Sequence, residues 1–440
     1  MTLARLVSSI RLLRVSGCRR ISTVNETLPP RFRALQMGAP TTTTTKRSKG
    51  RLSAAGGNRS DATYKPLLQQ RVEFADSKLD KKRKKVEASV DAHVPVGPKE
   101  LTLEYTLPIG QTFRWKSIDP ENDRAYVGVL GDSVLCLRHH PETEDVEYKV
   151  LGGTRDAEIV EGRLTELFML DRVNLSELDA LWSGKDELYK SVSEYVRGAR
   201  MLRQDPVETL FSFICSQNNH ISRIGGMVNR LAAMYGKPID VDEDAEEIRR
   251  YRAIYGTDSK GAAVDTAFFA FPSLKDLSEN ANEEDLREAG FGYRARYIES
   301  SAKQVEELGG EGWLFGLRDV SYDTAVEELS VLNGVGNKVA SCVALFALDK
   351  PDAVPVDVHV WEIAVKHYTP ELRGKPNGPK YHPVVQAAFK KKFGALCGWA
   401  HQTLFVYDLG SVQKKLERRG LLGGFEDEDS ASDGWTSEDE

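Results

Sequence analysis

The chain has 440 residues, with 60 Lys and Arg against 66 Asp and Glu, and a formal net charge of −6. At about 150 residues per domain, this length allows two or three domains and a sizeable core. No apolar run approaches the roughly 20 residues that a membrane span needs, which excludes an integral membrane protein. A net charge of −6 also argues against a broad basic footprint for nucleic acid.

The charge is unevenly distributed along the chain. Residues 1–100 carry 21 basic and 8 acidic side chains, whereas residues 426–440 carry 8 acidic side chains and no basic one. The net charge is therefore +13 in the first segment, −8 in the last and −11 between them. A nucleic-acid contact would have to use a local patch, and we expect its salt dependence to be modest.

The first 98 residues predict targeting and linker sequence. Residues 1–25 are rich in Arg and Ser and contain no acid, which is typical of a mitochondrial transit peptide; a basic terminus without a targeting role is the alternative. Residues 26–98, with five threonines at 41–45, predict a disordered basic linker. Its cluster Lys81–Lys85 suits a nuclear-localisation signal or a solvated tail that holds DNA by charge. We therefore expect the chain in the nucleus, the mitochondrion or both.

The C-terminal end and the cysteines give two further expectations. Residues 419–440 predict an acidic disordered tail, which either solubilises the chain or binds a protein partner around Trp435. The five cysteines are scattered and form no C-x-x-C motif, so we expect reduced thiols and no metal site.

Residues 99–185 predict an antiparallel β-sheet domain. Five segments rich in Val, Leu, Tyr and Thr alternate like short strands, and Gly131-Asp132 marks a hairpin turn between two of them. A helical segment follows at 157–170. The predicted strands are LTLEYTL (101–107), QTFRWKS (111–117), RAYVGVL (124–130), SVLCLRH (133–139) and VEYKVL (146–151).

Residues 186–418 change to a helical period of about 3.6. The clearest amphipathic helices are DPVETLFSFICSQ (205–217), TAVEELSVL (324–332), NKVASCVALFAL (337–348) and WAHQTLFVYDL (399–409). The charged segment 240–265 lacks an apolar face and predicts an inserted surface helix and loop, and residues 373–383 predict a polar loop. The predicted fold is α+β: an N-terminal antiparallel sheet with helices, packed on a mainly helical domain, with disordered tails at both ends.

The segment Leu332–Gly336 joins two apolar helices through Gly334 and Gly336. Glycines let the backbone of such a turn approach a neighbour closely, and the unpaired N–H groups of the second helix point outward from it. This pattern is typical of a helix-hairpin-helix, which holds DNA phosphates through its main chain. A tight turn between two packed helices is the alternative.

Lys338 and Asp357 are the candidates for chemistry. Lys338 lies in the first turn of the second helix, where the partial positive charge disfavours an ammonium group and so favours the free amine that a nucleophile needs. Cys342, four residues later, shares its helix face. Asp357 precedes the helical segment VHVWEIAV (358–365), so it suits an N-cap, and an ionised N-cap carboxylate also suits stabilisation of a developing cation.

These motifs together resemble the eukaryotic 8-oxoguanine DNA glycosylases. The hairpin, the following K-V-A-x-C and V-P-V-D-V-H carry the resemblance, together with RQDPVETLFSFICSQNNHISRI (203–224), GFGYRARY (290–297), IGQTFRW (109–115) and GWAHQTLFVYDL (398–409). The resemblance spans residues 101–415, about three quarters of the chain.

The resemblance implies a role for each matching residue. Lys338 is the expected nucleophile, forming a Schiff base with the sugar, and Asp357 the carboxylate that stabilises the sugar cation. The implied base pocket consists of Gly110, whose carbonyl accepts the N7 hydrogen of 8-oxoguanine, with Cys342, His401, Phe405 and Asp408. The implied DNA contacts are Asn218, Arg223, Tyr293, Arg294, Gly334, Gly336 and His359. His401 replaces the family's glutamine and Asn333 its hairpin proline, which leaves base selectivity open.

The expected function is therefore base excision repair: removal of 8-oxoguanine and related oxidised purines opposite cytosine, with lyase activity at the resulting abasic site. The resemblance implies a monomer that binds damaged double-stranded DNA, needs no cofactor, and holds at most a structural cation on the carbonyls of Leu332 and Val335. The alternative is a non-catalytic helix-hairpin-helix module that binds DNA for other proteins. Lys338 together with Asp357 favours the enzyme, because a binding module needs neither.

Overall fold

The computed structural model describes residues 91–94, 96–257, 261 and 263–422. The predicted transit peptide, the cluster Lys81–Lys85 and the acidic tail from residue 423 onward lie outside these described residues. The linker predicted to extend to residue 98 ends earlier, because Asp91–Val94 forms a strand. Its partner strand lies more than fifty residues away in sequence, so local alternation gives no sign of the pairing.

The predicted antiparallel sheet is confirmed. Five strands are arranged in the order β1-β5-β4-β3-β2, and every neighbouring pair is antiparallel. The predicted turn at Gly131-Asp132 joins β3 to β4, with Gly131 at a φ of +62°. The strands are β1 (Asp91–Val94), β2 (Trp115–Ser117), β3 (Ala125–Leu130), β4 (Ser133–His139) and β5 (Val146–Gly153), with a separate two-stranded ribbon of β6 (Pro238–Ile239) and β7 (Phe268–Phe269).

The strand predicted at 101–107 is wrong: Leu103–Tyr105 is a 3-10 turn. Leu103 and Leu107 pack into the core of the sheet domain, whereas Tyr105 packs into the helical core. The alternating pattern therefore reflects a segment buried between two cores. Its backbone does not pair with the sheet; the Thr102 amide, for example, donates a hydrogen bond to the Gly198 carbonyl at 2.9 Å.

Sixteen α-helices follow the sheet within the described residues. The predicted helices at 157–170, 205–217, 324–332, 337–348 and 399–409 are all present. Their bounds are α1 (Ala157–Phe168), α2 (Leu175–Ser183), α3 (Glu187–Ser193), α4 (Pro206–Cys215), α5 (Ile221–Tyr235), α6 (Glu246–Tyr255), α7 (Leu274–Asn280), α8 (Glu283–Glu288), α9 (Arg294–Leu308), α10 (Gly310–Gly316), α11 (Tyr322–Leu329), α12 (Asn337–Ala347), α13 (Val358–Ile363), α14 (His382–Phe393), α15 (Cys397–Asp408) and α16 (Gly410–Arg418).

Both faces of the sheet are covered. Helix α1 buries Val160, Leu164 and Phe168 against one face. The other face packs against the ribbon and against α6, where Ile248 is fully buried and the Tyr251 ring lies 5.0 Å from that of Phe268. The segment predicted as a surface insertion thus contains the expected helix, and this helix also shields a sheet face.

Helix α12 lies at the centre of the helical domain. Its residues from Val339 to Ala347 are all buried, because α4, α11 and neighbouring helices surround it. Only its first turn, at the end of the predicted hairpin, reaches the surface. The fold is therefore α+β, with the sheet domain and the helical hairpin domain as expected. No helix among the described residues is long and apolar enough to cross a membrane.

Candidate active site

A small pocket opens at the first turns of α12. Its cavity has a volume of about 40 Å³, enough for a few water molecules and far too small for a purine ring system. Four separate parts of the chain meet there: the segment before β2, α4, the α12–α13 region and α15. The lining residues are Ile109, Gly110, Gln111, Phe213, Lys338, Cys342, Phe346, Pro355, Asp357, His401, Gln402 and Phe405.

Lys338 enters the pocket from the N-terminus of α12, as the sequence predicts. The helix begins at Asn337 with Gly336 as its N-cap, so Lys338 is the second helical residue. Its ammonium nitrogen lies 5.9 Å from the centre of the Phe213 ring. The Lys338 amine thus lies beside the N-terminus of α12 and the face of the Phe213 ring.

Asp357 is the N-cap of α13, which confirms the capping prediction. Its Oδ1 accepts a hydrogen bond from the Val360 amide at 3.0 Å, and its carbonyl accepts one from the Trp361 amide at 3.0 Å. These bonds fix the backbone and the carboxylate together. The charges of both Asp357 and Lys338 act on the Cys342 thiol and on the His401 ring, so all four groups share one electrostatic environment.

Cys342 and Phe405 give the pocket its apolar surfaces. Burial raises the pKa of the Cys342 thiol to about 11, so it stays neutral near pH 7. The Phe405 ring is stacked on His401, with ring centres 6.2 Å apart, and contacts His359 edge-on at 5.8 Å. A flat ligand between Phe405 and Cys342 would need more space than the cavity of about 40 Å³ provides.

His401 and Gln402 bring buried polar atoms into the pocket without satisfying them. Both side chains are nearly inaccessible to solvent. No described residue lies in hydrogen-bonding geometry to either His401 ring nitrogen or to Gln402 Nε2, although the Gly398 carbonyl lies close enough to the His401 ring to act on it. Burial lowers the pKa of His401 to about 4, although Asp357 and the Gly398 carbonyl act in the opposite direction. The ring is therefore neutral at pH 7, with one nitrogen a donor and the other an acceptor.

The predicted stripe of His401, Phe405 and Asp408 along α15 is only partly directed into the pocket. Asp408 is absent from the lining residues; its Oδ2 pairs with His359 Nδ1 at 2.7 Å. Both side chains are about two-fifths exposed. His359 contacts the Phe405 ring, and Phe405 separates the His359–Asp408 pair from the pocket.

Gly110 lines the opposite wall of the pocket. Its φ of +89° is a conformation that other residues rarely adopt, and a Cβ placed on it would lie 3.1 Å from the Ile221 side chain. Glycine is therefore required for the backbone to face the pocket here.

A second group of predicted residues meets at the loop between α4 and α5. Arg294 is buried, and its guanidinium group donates to the carbonyls of Gln217 and Asn218, the latter at 3.0 Å. The Tyr293 hydroxyl donates to the same Gln217 carbonyl at 3.0 Å, while the Tyr293 ring remains 44% exposed. Arg294 thus braces the loop and holds exposed Asn218, whose φ is +46°. Arg223 is exposed one turn into α5.

The hairpin has the predicted geometry. Gly334 has a φ of +78°, and a Cβ there would lie 2.4 Å from the Tyr297 ring, so no other residue fits without displacement. Its carbonyl accepts from Gln217 Nε2 at 2.8 Å, which ties the hairpin to the α4–α5 loop. Asn333, the departure from the family's proline, uses its extra N–H to donate to Gln304 at 2.8 Å. Gly336 caps α12 without a side-chain bond from any described residue, so the first amides stay available.

Two features of the site escaped the sequence analysis. Several lining residues, among them Gln402 and Phe213, lie in apolar helices. In such helices the hydrophobic period does not distinguish a residue that lines a pocket from one that packs in the core. Residues 366–392, beside Asp357, carry seven basic side chains and one acidic one within a body of net charge −11. This local excess of basic side chains can be counted from the sequence alone. No cluster of three or more His, Cys, Asp or Glu suited to a metal ion occurs among the described residues.

Two family models match the chain. One, described as 8-oxoguanine DNA glycosylase, N-terminal domain, matches residues 93–210. The other, described as HhH-GPD superfamily base excision DNA repair protein, matches residues 211–377. The two matches adjoin and together include most of the pocket, while α15 lies beyond them.

Known proteins match over most of their length. The N-glycosylase/DNA lyase OGG1 of Arabidopsis thaliana is 40% identical over 324 residues, covering 72% of this chain and 80% of the relative. The N-glycosylase/DNA lyase of Saccharomyces cerevisiae is 33% identical over 346 residues, covering 72% and 86%. The solved structure of the Clostridium acetobutylicum 8-oxoguanine glycosylase/lyase, in complex with double-stranded DNA containing cytosine opposite 8-oxoG, has a TM-score of 0.57 at 28% identity and covers 73% of this chain and 95% of that one. The chain belongs to the 8-oxoguanine DNA glycosylase family of bifunctional N-glycosylase/DNA lyases.

Proposed function

We propose that this chain excises 8-oxoguanine paired with cytosine from double-stranded DNA and then cleaves the strand at the abasic site. One observation carries the proposal: an amine at a helix N-terminus and a fixed carboxylate face the same pocket, whose buried polar atoms lack protein partners. A base turned out of the duplex would satisfy those atoms, and extrusion is required because the glycosidic carbon cannot be reached inside the stack.

Lys338 and Asp357 have distinct roles in the proposed reaction. The free amine of Lys338 attacks C1′ of the deoxyribose as the bond to the base breaks, and the base leaves with the bonding electrons and takes up a proton. Asp357 stabilises the positive charge that develops on the sugar. Loss of a proton from nitrogen and opening of the sugar ring give a Schiff base. Removal of a C2′ proton then expels the 3′ phosphate by β-elimination, and water releases Lys338. The lysine supplies the nucleophile, so these steps need no cofactor.

Recognition of the base is proposed to use both walls of the pocket. The Gly110 carbonyl accepts the N7 hydrogen that distinguishes 8-oxoguanine from guanine, and Cys342 and Phe405 enclose the ring faces. Neutral His401 replaces the family's glutamine as a reader of the base edge, with the unpartnered Gln402 amide beside it. Phe405 must move away from Cys342 for the base to enter, because the cavity measures only about 40 Å³.

The loop and hairpin residues are proposed to hold the duplex. Asn218 is exposed on the loop that Arg294 braces, and Arg223 is exposed in the first turn of α5, so both suit contacts with the unpaired cytosine. The Tyr293 ring suits insertion into the stack. The amides at the start of α12, after Gly336, suit a phosphate, with Gly334 shaping the hairpin. His359 suits a second phosphate near the extruded nucleotide. A non-catalytic DNA-binding module, the alternative function, is not favoured because it would need neither Lys338 nor Asp357.

An excision assay tests the proposed function. Duplexes with 8-oxoguanine opposite cytosine, adenine or thymine, and a matched guanine–cytosine duplex, are incubated with the full chain. We expect free 8-oxoguanine and a cleaved strand ending in a 3′ unsaturated aldehyde, fastest opposite cytosine. Equal action on the undamaged duplex would contradict the proposed recognition, and binding without release of any base would instead support the non-catalytic module.

A further inference from the structure

The loop after the π-helical turn Ala364–Tyr368 returns to Asp357, at the start of α13. Residues 373–381 contain no helix or strand, and most of them are exposed. Asn377 links this loop to the site: its Nδ2 donates to the backbone carbonyl of Asp357 at 3.1 Å. The loop is therefore attached directly to the residue that carries the pocket's carboxylate.

A second bond fixes the Asn377 amide. Its Oδ1 lies 2.9 Å from Nε2 of His382, the first residue of α14. The Asp357 carbonyl only accepts, so the amide nitrogen must face it and the amide oxygen must face the imidazole. That oxygen only accepts as well, so His382 Nε2 carries the proton. One arrangement of donors satisfies both bonds.

The His382 side chain is buried, so its hydrogen bond fixes the orientation of the Asn377 amide. This histidine side chain is 7% exposed, and its Nδ1 has no hydrogen-bond partner among the described residues. Burial lowers the pKa of His382, in keeping with a neutral ring. The Tyr381 ring, immediately before it, lies 6.1 Å from the Trp361 ring of α13, so the loop end and α13 also pack together.

We propose that Asn377 and His382 are positioning residues that hold Asp357 at the angle needed for base excision. The Asp357 carbonyl is bonded from α13 by the Trp361 amide and from the loop by Asn377, while Oδ1 is bonded by the Val360 amide. Without Asn377, the two bonds from α13 remain, but the Asp357 carbonyl loses its second donor and the residue is no longer held from the loop side. The inference rests on the proposed function, since it assigns Asp357 the role of stabilising the sugar cation.

The test combines matched variants with single-turnover excision of 8-oxoguanine opposite cytosine. Asn377→Asp keeps the size and the acceptor for His382 but removes the donor to Asp357. We expect excision to slow about tenfold, because one hydrogen bond contributes about 1 kcal/mol or slightly more. The melting temperature should stay near the wild-type value. Because the new carboxylate lies on a basic loop, any loss of affinity should be equal for lesion and undamaged duplexes. His382→Leu should slow excision similarly, and His382→Gln, which can still donate to Asn377, should recover most of the rate.

The deciding measurement is a double-mutant cycle with Asp357→Asn, followed over hours to resolve slow excision. If Asn377 acts through the Asp357 carboxylate, Asn377→Asp should change the rate less than about twofold in that background. The same fold-loss in both backgrounds, or weakened DNA binding at an unchanged rate, would overturn the inference. Glu371→Gln, an exposed change in the preceding turn, is the control and should behave as wild type. Wild-type chain that excises nothing would refute the proposed function itself, a separate result.

Discussion

Two concave regions of the described chain differ in size and in chemistry. A wide cleft of about 600 Å³ lies between the β3–β4 turn, α1 and the start of α4. The pocket beside Lys338 measures about 40 Å³. Size alone would select the cleft as the site for a ligand.

The charged side chains of the wide cleft largely satisfy one another. Arg163 pairs with Asp132 at 2.5 Å, and Arg203 pairs with Asp349 at 2.6 Å and also with Glu166. The pocket shows the reverse: the polar atoms of His401 and Gln402 are buried without partners. Leaving such groups unpaired costs about 1–3 kcal/mol each, which a fold tolerates where a ligand later repays it. A cluster of unsatisfied polar groups beside a candidate nucleophile therefore marks the site better than volume does.

The largest expected effect within this comparison comes from Asp357→Asn. Asparagine caps helices as well as aspartate does, so unfolding free energy should change little. Removing the charge opposite the developing sugar cation should slow excision about a hundredfold or more. Single-turnover kinetics measure the excision rate, binding titrations measure the affinity for the lesion duplex, and urea unfolding measures the stability. Lost binding together with lost stability would instead indicate that Asp357 acts mainly as a cap.

His401→Leu tests whether the unpartnered atoms of the pocket recognise the base. Leucine removes both ring nitrogens at similar volume, so the base edge would lose its partners, and excision should slow about tenfold or more. The ratio of excision from 8-oxoguanine and from a second oxidised purine should also change. An unchanged rate and ratio would contradict the role of the unsatisfied atoms. Gln402→Leu, at the neighbouring position, separates the contributions of the two side chains.

His401 also predicts a pH dependence of stability. Its pKa is lowered from 6.5 to about 4 in the folded chain, so between these values the unfolded chain binds a proton that the folded chain does not. Stability contributed by the neutral ring is therefore lost as pH falls from about 6.5 toward 4. From pH 7 to pH 5 this loss should reach about 2 kcal/mol. Urea unfolding of wild type and His401→Gln at both pH values checks it; equal losses would contradict it.

The basic segment 366–392 predicts a change in salt dependence. Lys375 and Lys380 lie exposed on the loop attached to Asp357. Replacing both by Gln should weaken binding of lesion and undamaged duplexes equally and lower the slope of log affinity against log salt by about 2. Binding titrations over a range of salt concentrations test this. An unchanged slope would show that the segment does not face DNA.

The smallest effect is expected in the wide cleft. Arg163→Gln breaks the partly exposed pair with Asp132, and such pairs contribute about 0–1 kcal/mol. Excision should change less than about twofold. A larger loss of excision without a loss of stability would mean that the cleft takes part in the reaction.

The sequence predicted the elements whose determinants are local. Hydrophobic period predicts the helix around Lys338, turn chemistry predicts the glycines of its hairpin, and spacing predicts the cap at Asp357. The family resemblance predicts that Gly110 and Phe405 line the same pocket. Contacts between distant segments were not predictable. Strand β1 needs β5, the 101–107 segment is buried between two cores, and Asp408 pairs with His359 instead of facing the pocket. Arg294 was expected as a DNA contact, and its inward bonds depend on the α4–α5 loop.

The proposed mechanism depends most directly on Lys338 as the nucleophile of the pocket. Borohydride reduction during incubation with duplex containing 8-oxoguanine opposite cytosine traps the Schiff base as a covalent protein–DNA adduct. We expect an adduct with wild type and none with Lys338→Gln that is folded and still binds the duplex. An undiminished adduct in Lys338→Gln, or none with active wild type, would contradict it.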